Sequence, residues 1–225
     1  MFQPGPGMVA RLVEDWAGRR PDFPVLTFEN GEYPDEKITY RDIVTRGSRL
    51  ARILLDNGIG QGDIFALVMR NHPEFVYAFW AASAIGAILV PIDPRSKASK
   101  LHFQLADSGA KGVIFTNELY EEMKEVLALL PDLRVIGVVY KDGFETPVRE
   151  EFPNLNAMLS ELAAPETLPR KSEPQIPLEI IYTSGTTGNP KGVRIKEERL
   201  PLFILLAREV WRYTEQDVLY TGLSL

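Results

Sequence analysis

Ten residues, Thr183 to Gly192, gather four hydroxyls (Thr183, Ser184, Thr186, Thr187), three glycines (Gly185, Gly188, Gly192) and one lysine, Lys191. Glycine accepts positive φ without steric cost, so such a loop can turn successive backbone N–H groups inward around an anion. The hydroxyls add donors, and the lysine adds a mobile point charge suited to phosphate oxygens. The chemistry that fits is polyphosphate binding. A plain Ser/Thr/Gly turn between two strands would need neither four hydroxyls nor the Pro190-Lys191-Gly192 exit.

The loop is not the G-x-x-x-x-G-K-[ST] phosphate loop, because Pro190 precedes Lys191 and Gly192 follows it. Arg194 and Lys196 come next and read as exposed strand charges. The two histidines, His72 and His102, lack companions at metal-ligand spacing and read as surface or helix-end residues, so no metal ligand is expected. The aromatic residues Phe75, Tyr77, Phe79 and Trp80 lie at helical spacing in an apolar run and read as core rather than as a ligand box, as do Trp211 and Tyr213.

The elements that must hold this loop alternate in type. A strand at Ile38-Thr39-Tyr40 leads into a helix from Arg41 to about Asn57, stopped by Gly58 and Gly60. Asp63–Val68 reads as a strand buried on both faces, and Pro73 starts a helix that leads into a strand at Ala87–Val90. The pattern then repeats: helix at 97–107, strand at 112–115, helix at 118–130, strand at 134–139. Alternation of this kind predicts an α/β fold, a mainly parallel sheet with helices on both faces. A proline-rich linker spans 163–177, and the apolar run Leu178–Tyr182 feeds the loop as a buried strand. Val193-Arg194-Ile195 leaves it, followed by a helix from about Glu197 to Trp211 and a strand around Asp217–Tyr220.

Composition narrows the partners. With 45% hydrophobic residues in 225 the chain is ordinary for a globular protein, and a net charge of −6 argues against nucleic acid. The absence of cysteine fits a reducing, cytoplasmic setting. No basic-then-apolar leader is evident, and the apolar run Phe75–Val90 falls short of the ~20 residues a bilayer span needs. Peripheral membrane contact stays open.

The order Ser184-Gly185-Thr186-Thr187-Gly188-Asn189-Pro190-Lys191-Gly192 resembles the signature loop of the adenylate-forming (AMP-binding) enzymes: acyl-CoA synthetases, firefly luciferase and peptide-synthetase adenylation domains. The likeness extends through Ile38–Ile43, Gly58–Asp63, Asn71–Phe75 and Ile85–Pro94, and so covers about residues 22 to 225. Within the family, the segment Arg95–Leu101 leans toward fatty-acyl or carnitine-type CoA ligases.

The resemblance implies the N-terminal part of an acetyl-CoA-synthetase-like large domain, truncated. Residues 1–21 would be an N-terminal extension with a first helix, 22–162 an α/β subdomain, 163–177 a linker, and 178–225 the incomplete start of the ATP-binding subdomain. It implies activation of a carboxylic, fatty acid by ATP to an acyl-adenylate, then transfer to coenzyme A. Thr183, Ser184, Gly185, Thr186, Thr187, Gly188, Lys191 and Gly192 would bind the nucleotide, with no catalytic residue in this chain and the Mg²⁺ ligands mostly beyond it. The expectation is therefore of a chain inactive alone and, as a sheet cut mid-domain, prone to self-association. Two other readings stand beside it: an adenylation domain loading a carrier protein, and a stand-alone nucleotide- or phosphate-binding module.

Overall fold

The computed structural model describes residues 5–30, 33–96, 98–141, 148–183 and 189–220. A helix, α1 (Met8–Arg19), precedes an antiparallel ribbon of β1 (Pro24–Asn30) and β2 (Tyr33–Thr39). The strand expected at Ile38–Tyr40 is thus the end of a longer one, whose charged Pro-Asp-Glu-Lys stretch hides it from a hydrophobicity reading. Thr39 then caps α2 (Tyr40–Asp56): its side chain accepts from the Asp42 N–H, and the Asp42 carboxylate accepts from the Thr39 N–H.

From there the chain alternates β3 (Ile64–Val68), α3 (Pro73–Ile85), β4 (Ile88–Ile92), α4 (Ala98–Ser108), β5 (Gly112–Thr116), α5 (Tyr120–Ala128) and β6 (Arg134–Val139). A short α6 (Leu155–Glu161) and the proline-rich segment follow, then β7 (Glu179–Thr183), β8 (Lys191–Ile195) and α7 (Leu200–Leu205). One six-stranded sheet runs β6-β5-β3-β4-β7-β8, and only β8 is antiparallel to its neighbour. The mainly parallel α/β sheet is as the alternation predicts.

Alternate strand residues feed two cores. Phe65, Leu67, Leu89 and Ile114 pack with α1, α2, α3 and α6, whereas Ala66, Val68, Val90 and Val113 pack with α4 and α5. Both faces of β3, β4 and β5 are therefore covered, which is why these strands read as unbroken apolar runs, whereas β8 is exposed. The run Phe75–Val90 resolves into α3 and β4, buried almost throughout, and no helix among the described residues is long and apolar enough to cross a membrane.

The end of the chain departs from expectation. In place of one helix to Trp211 there is a 3₁₀ turn at Glu197–Arg199, the six-residue α7, and a π turn at Leu206–Val210. Asp217–Tyr220 forms no strand, because no described sheet edge pairs with it; Val218 is 94% exposed. Trp211 and Tyr213, expected in the core, are 53% and 44% exposed and meet in a tilted ring contact with centroids 5.7 Å apart. No described element covers that side of α7.

Candidate functional site

Adjacent parallel strands β3 and β4 are followed by α3 and α4, which pack on opposite faces of the sheet. Divergence of this kind opens a crevice at the carboxyl ends of the strands, where open α/β sheets bind ligands. β7 lies parallel to β4, with Leu89 opposite Glu179, so its last residue, Thr183, emerges at the same carboxyl edge. Thr183, the first of the four hydroxyl residues, therefore ends β7 at the crevice.

The hairpin's register sets which side chains face it. Thr183 pairs with Lys191, Tyr182 with Gly192, and Ile181 with Val193. Directly paired residues share a face, and alternate residues along a strand share it too. Thr183, Lys191, Ile181 and Glu179 thus project to one side, and Ile180, Tyr182 and Gly192 to the other. The structure brings Thr183 and Lys191 together as a pair, with the Thr183 hydroxyl 3.5 Å from the Lys191 carbonyl oxygen. Lys191 is exposed, and its ammonium forms no ion pair among the described residues. Ser184, Gly185, Thr186, Thr187 and Gly188 lie outside the described residues.

On the Thr183–Lys191 side lies a pocket of about 540 Å³, lined by Met69, Asn71, Phe75, Phe79, Asp93, Glu179 and Ile181 among others. That volume is in the range of small-molecule sites. Phe75, Tyr77 and Trp80 are buried in the core as expected; Phe75 also lines this pocket, together with the partly buried Phe79 four residues on along α3. Periodicity could not single out the pocket-lining pair, because α3 is apolar on every side. Desolvation raises the Glu179 carboxyl above the usual range. Asp93 is held low, first by its hydrogen bond from Arg95.

The opposite side of the hairpin fixes its position. Ile180 is buried in the α4–α5 core, and the Tyr182 hydroxyl donates to Asp107 Oδ2 at 2.6 Å, tying β7 to α4. Burial, and then this hydrogen bond, push the Tyr182 phenol well above its ordinary value. A side chain at Gly192 would require β8 or its neighbours to shift: a Cβ there would lie 2.9 Å from Ile180 Cγ2 and 3.4 Å from Tyr182 Cζ. Sequence reasoning placed Gly192 in the loop but missed Tyr182, Asp107 and the pocket residues, which meet only through tertiary packing. Arg194 is exposed on β8, as expected for a strand charge.

His72 is the residue preceding α3, and both ring nitrogens are buried without a hydrogen-bond partner among the described residues. Burial, reinforced by Lys141, lowers its pKa to about 4. Among the described residues no group of three or more His, Asp or Glu is arranged to hold a metal ion.

Comparison with known proteins gives this geometry its context. The chain matches the AMP-binding enzyme family over residues 13–225, and it belongs to that family. It is 30% identical over 184 residues to a dimodular nonribosomal peptide synthase of Bacillus subtilis, covering 81% of this chain and 7% of that protein. It is 29% identical over 175 residues to a crotonobetaine/carnitine–CoA ligase of Citrobacter koseri, covering 78% of this chain and 34% of that one. Among solved structures, a protein described as a long-chain-fatty-acid CoA ligase of Rhodopseudomonas palustris superposes with a TM-score of 0.73 at 26% identity. That superposition covers 93% of this chain and 49% of the other. The chain thus spans less than half the length of each of these proteins.

Proposed function

We propose that this chain carries the phosphate-binding hairpin of an ATP-dependent acid-activating enzyme, and that the hairpin binds the β- and γ-phosphates of the nucleotide. One observation carries the reading: Thr183 and Lys191, whose ammonium has no ion-pair partner among the described residues, share one face of a hairpin that opens at the carboxyl edge of the sheet, beside an apolar pocket. In the reaction a carboxylate oxygen attacks the α-phosphorus, and the bond to the departing pyrophosphate breaks. Lys191 neutralises charge that builds on the leaving pyrophosphate. This reading assigns the hydroxyls of Thr183, Ser184, Thr186 and Thr187 and the N–H groups of Gly185, Gly188 and Gly192 to the phosphate oxygens as donors, the kind of group that lowers such a barrier electrostatically. In this reading residues 178–225 open the nucleotide-binding part, and Mg²⁺ arrives with the nucleotide.

The acceptor that follows is coenzyme A, whose thiol attacks the acyl carbon and displaces AMP. The likeness to the carnitine–CoA ligase and to the long-chain-fatty-acid CoA ligase supports this acceptor, and the second of them supports a fatty acid as substrate. A carrier-protein thiol is the second reading, favoured by the likeness to the peptide synthase. The test is ATP–pyrophosphate exchange by the full-length enzyme that carries this chain, since the 225 residues alone are expected to be inactive: Lys191→Ala is expected to lower the rate about 10²-fold or more while leaving the melting temperature unchanged. An unchanged rate refutes the assignment of Lys191.

A further inference from the structure

Two residues past β8, Glu197 turns its carboxylate into the protein and is buried at 5% exposure. Its Oε2 accepts from the Gly7 N–H at 3.0 Å and from Lys171 Nζ at 3.1 Å. Its Oε1 accepts from the Val9 N–H at 3.2 Å and from the Ser83 hydroxyl, which in turn accepts from the Ala10 N–H at 3.0 Å. The first turn of a helix leaves its N–H groups unpaired, and the residue before α1, Gly7, has no side chain to cap them. The cap comes instead from a residue 190 positions away, and the positive end of the helix favours its charge.

The surroundings are shaped for this contact. Gly7 sits at φ 67°, and a Cβ there would lie 3.2 Å from the Ser83 carbonyl oxygen. Gly86 sits at φ 78°, and a Cβ there would lie 3.1 Å from Lys171 Cγ, in the path of the lysine side chain. The Lys171 N–H donates to the Ala84 carbonyl at 2.9 Å, which fixes the proline-rich segment against α3. A buried charge that loses one partner is strongly destabilised, so the four donors and the carboxylate engage together or not at all. β8 is an edge strand with β7 as its one neighbour in the sheet, so the carboxylate is a second anchor just beyond its end.

We propose that Glu197 is a positioning residue: through its buried carboxylate, docking of α1 holds β8 in place, and with it Lys191 at the mouth of the loop. N-terminal helix and phosphate hairpin then loosen as one unit. Only the consequence for ATP rests on the function proposed above. The coupling itself is read without nucleotide, by amide hydrogen exchange of the 225-residue chain.

Glu197→Gln is expected to speed exchange of residues 8–11 and of residues 192–195 together by about tenfold or more, with β3 and β5 unaffected. Gly7→Ala, which strains the cap without touching the charge, is expected to give the same paired effect in milder form, and stands in if the first variant does not fold. Leu54→Ala, a core change in α2, is expected not to single out residues 192–195. Loosening of α1 with β8 at the wild-type rate overturns the proposal, as does the same paired pattern in Leu54→Ala. Equilibrium dialysis on the full-length protein, since residues 178–225 only open the nucleotide-binding part, then separates the two readings. ATP bound by the wild type but about five- to tenfold more weakly by Glu197→Gln extends the coupling to the nucleotide. ATP bound equally by both limits it to the fold, and ATP not bound by the wild type defeats the function reading while the exchange result still decides the coupling.

Discussion

Gly192→Ala tests whether the hairpin's packing sets the position of Lys191. The new Cβ would lie 2.9 Å from Ile180 Cγ2, against an optimal carbon–carbon separation of about 3.5–4.0 Å, so something must move by about 0.6–1 Å. Ile180 is held in the core and Tyr182 is tied to Asp107, which leaves β8, the edge strand, to yield outward. Overpacking of this size costs about 1–3 kcal/mol, and the lower part of that range applies where an edge can relax. Replacing glycine returns about 0.4–1 kcal/mol by restricting the unfolded chain. The net loss is about 0.5–1.5 kcal/mol, which for a chain of this size lowers the melting temperature by roughly 1–6 °C. Calorimetry on Gly192→Ala, Ile180→Ala and the double variant isolates the contact. Ile180→Ala alone should cost about 2–5 kcal/mol, and the double variant should cost less than the two singles added, since removing Cγ2 removes the clash. Strict additivity, or an unchanged melting temperature for Gly192→Ala, refutes the argument.

Other outcomes follow from the same structure. His72 is neutral in the folded protein down to pH about 4 but titrates near 6.5 when unfolded, so the unfolded state binds the extra proton and stability falls as pH drops from about 6.5 to 4. Solvent screening of the half-buried ring reduces the full shift to about 1–2 kcal/mol, and His72→Gln should flatten that part of the curve in denaturant titrations; parallel curves refute it. Tyr182→Phe and Asp107→Asn should each cost about 0.5–1.5 kcal/mol in urea unfolding, with little further loss in the double variant; full additivity denies the bond. The exposed Leu202, Phe203, Leu205 and Trp211 should make the 225-residue chain self-associate, and Phe203→Lys should lessen it; a clean monomer by light scattering counts against this.

The sequence by itself determined the alternation of strands and helices, the double burial of β3, and the family to which the chain belongs. These are local signals: a run of apolar residues or a dense cluster of hydroxyls and glycines carries its meaning without reference to distant residues. It showed only the end of β2, whose Pro-Asp-Glu-Lys stretch becomes a strand only because β1, not foreseen, pairs with it. It suggested a strand at Asp217–Tyr220, but β-structure needs a partner edge, and no described edge meets it. Strand order, the pocket between Phe79 and Ile181, and the Tyr182–Asp107 link were likewise decided by the tertiary structure. Glu197 shows the reason most sharply. In sequence it is one charge in a polar stretch, since an isolated buried carboxylate is too costly to expect. Only the folded chain brings Gly7, Val9, Ser83 and Lys171 to it, and those four donors make burial favourable.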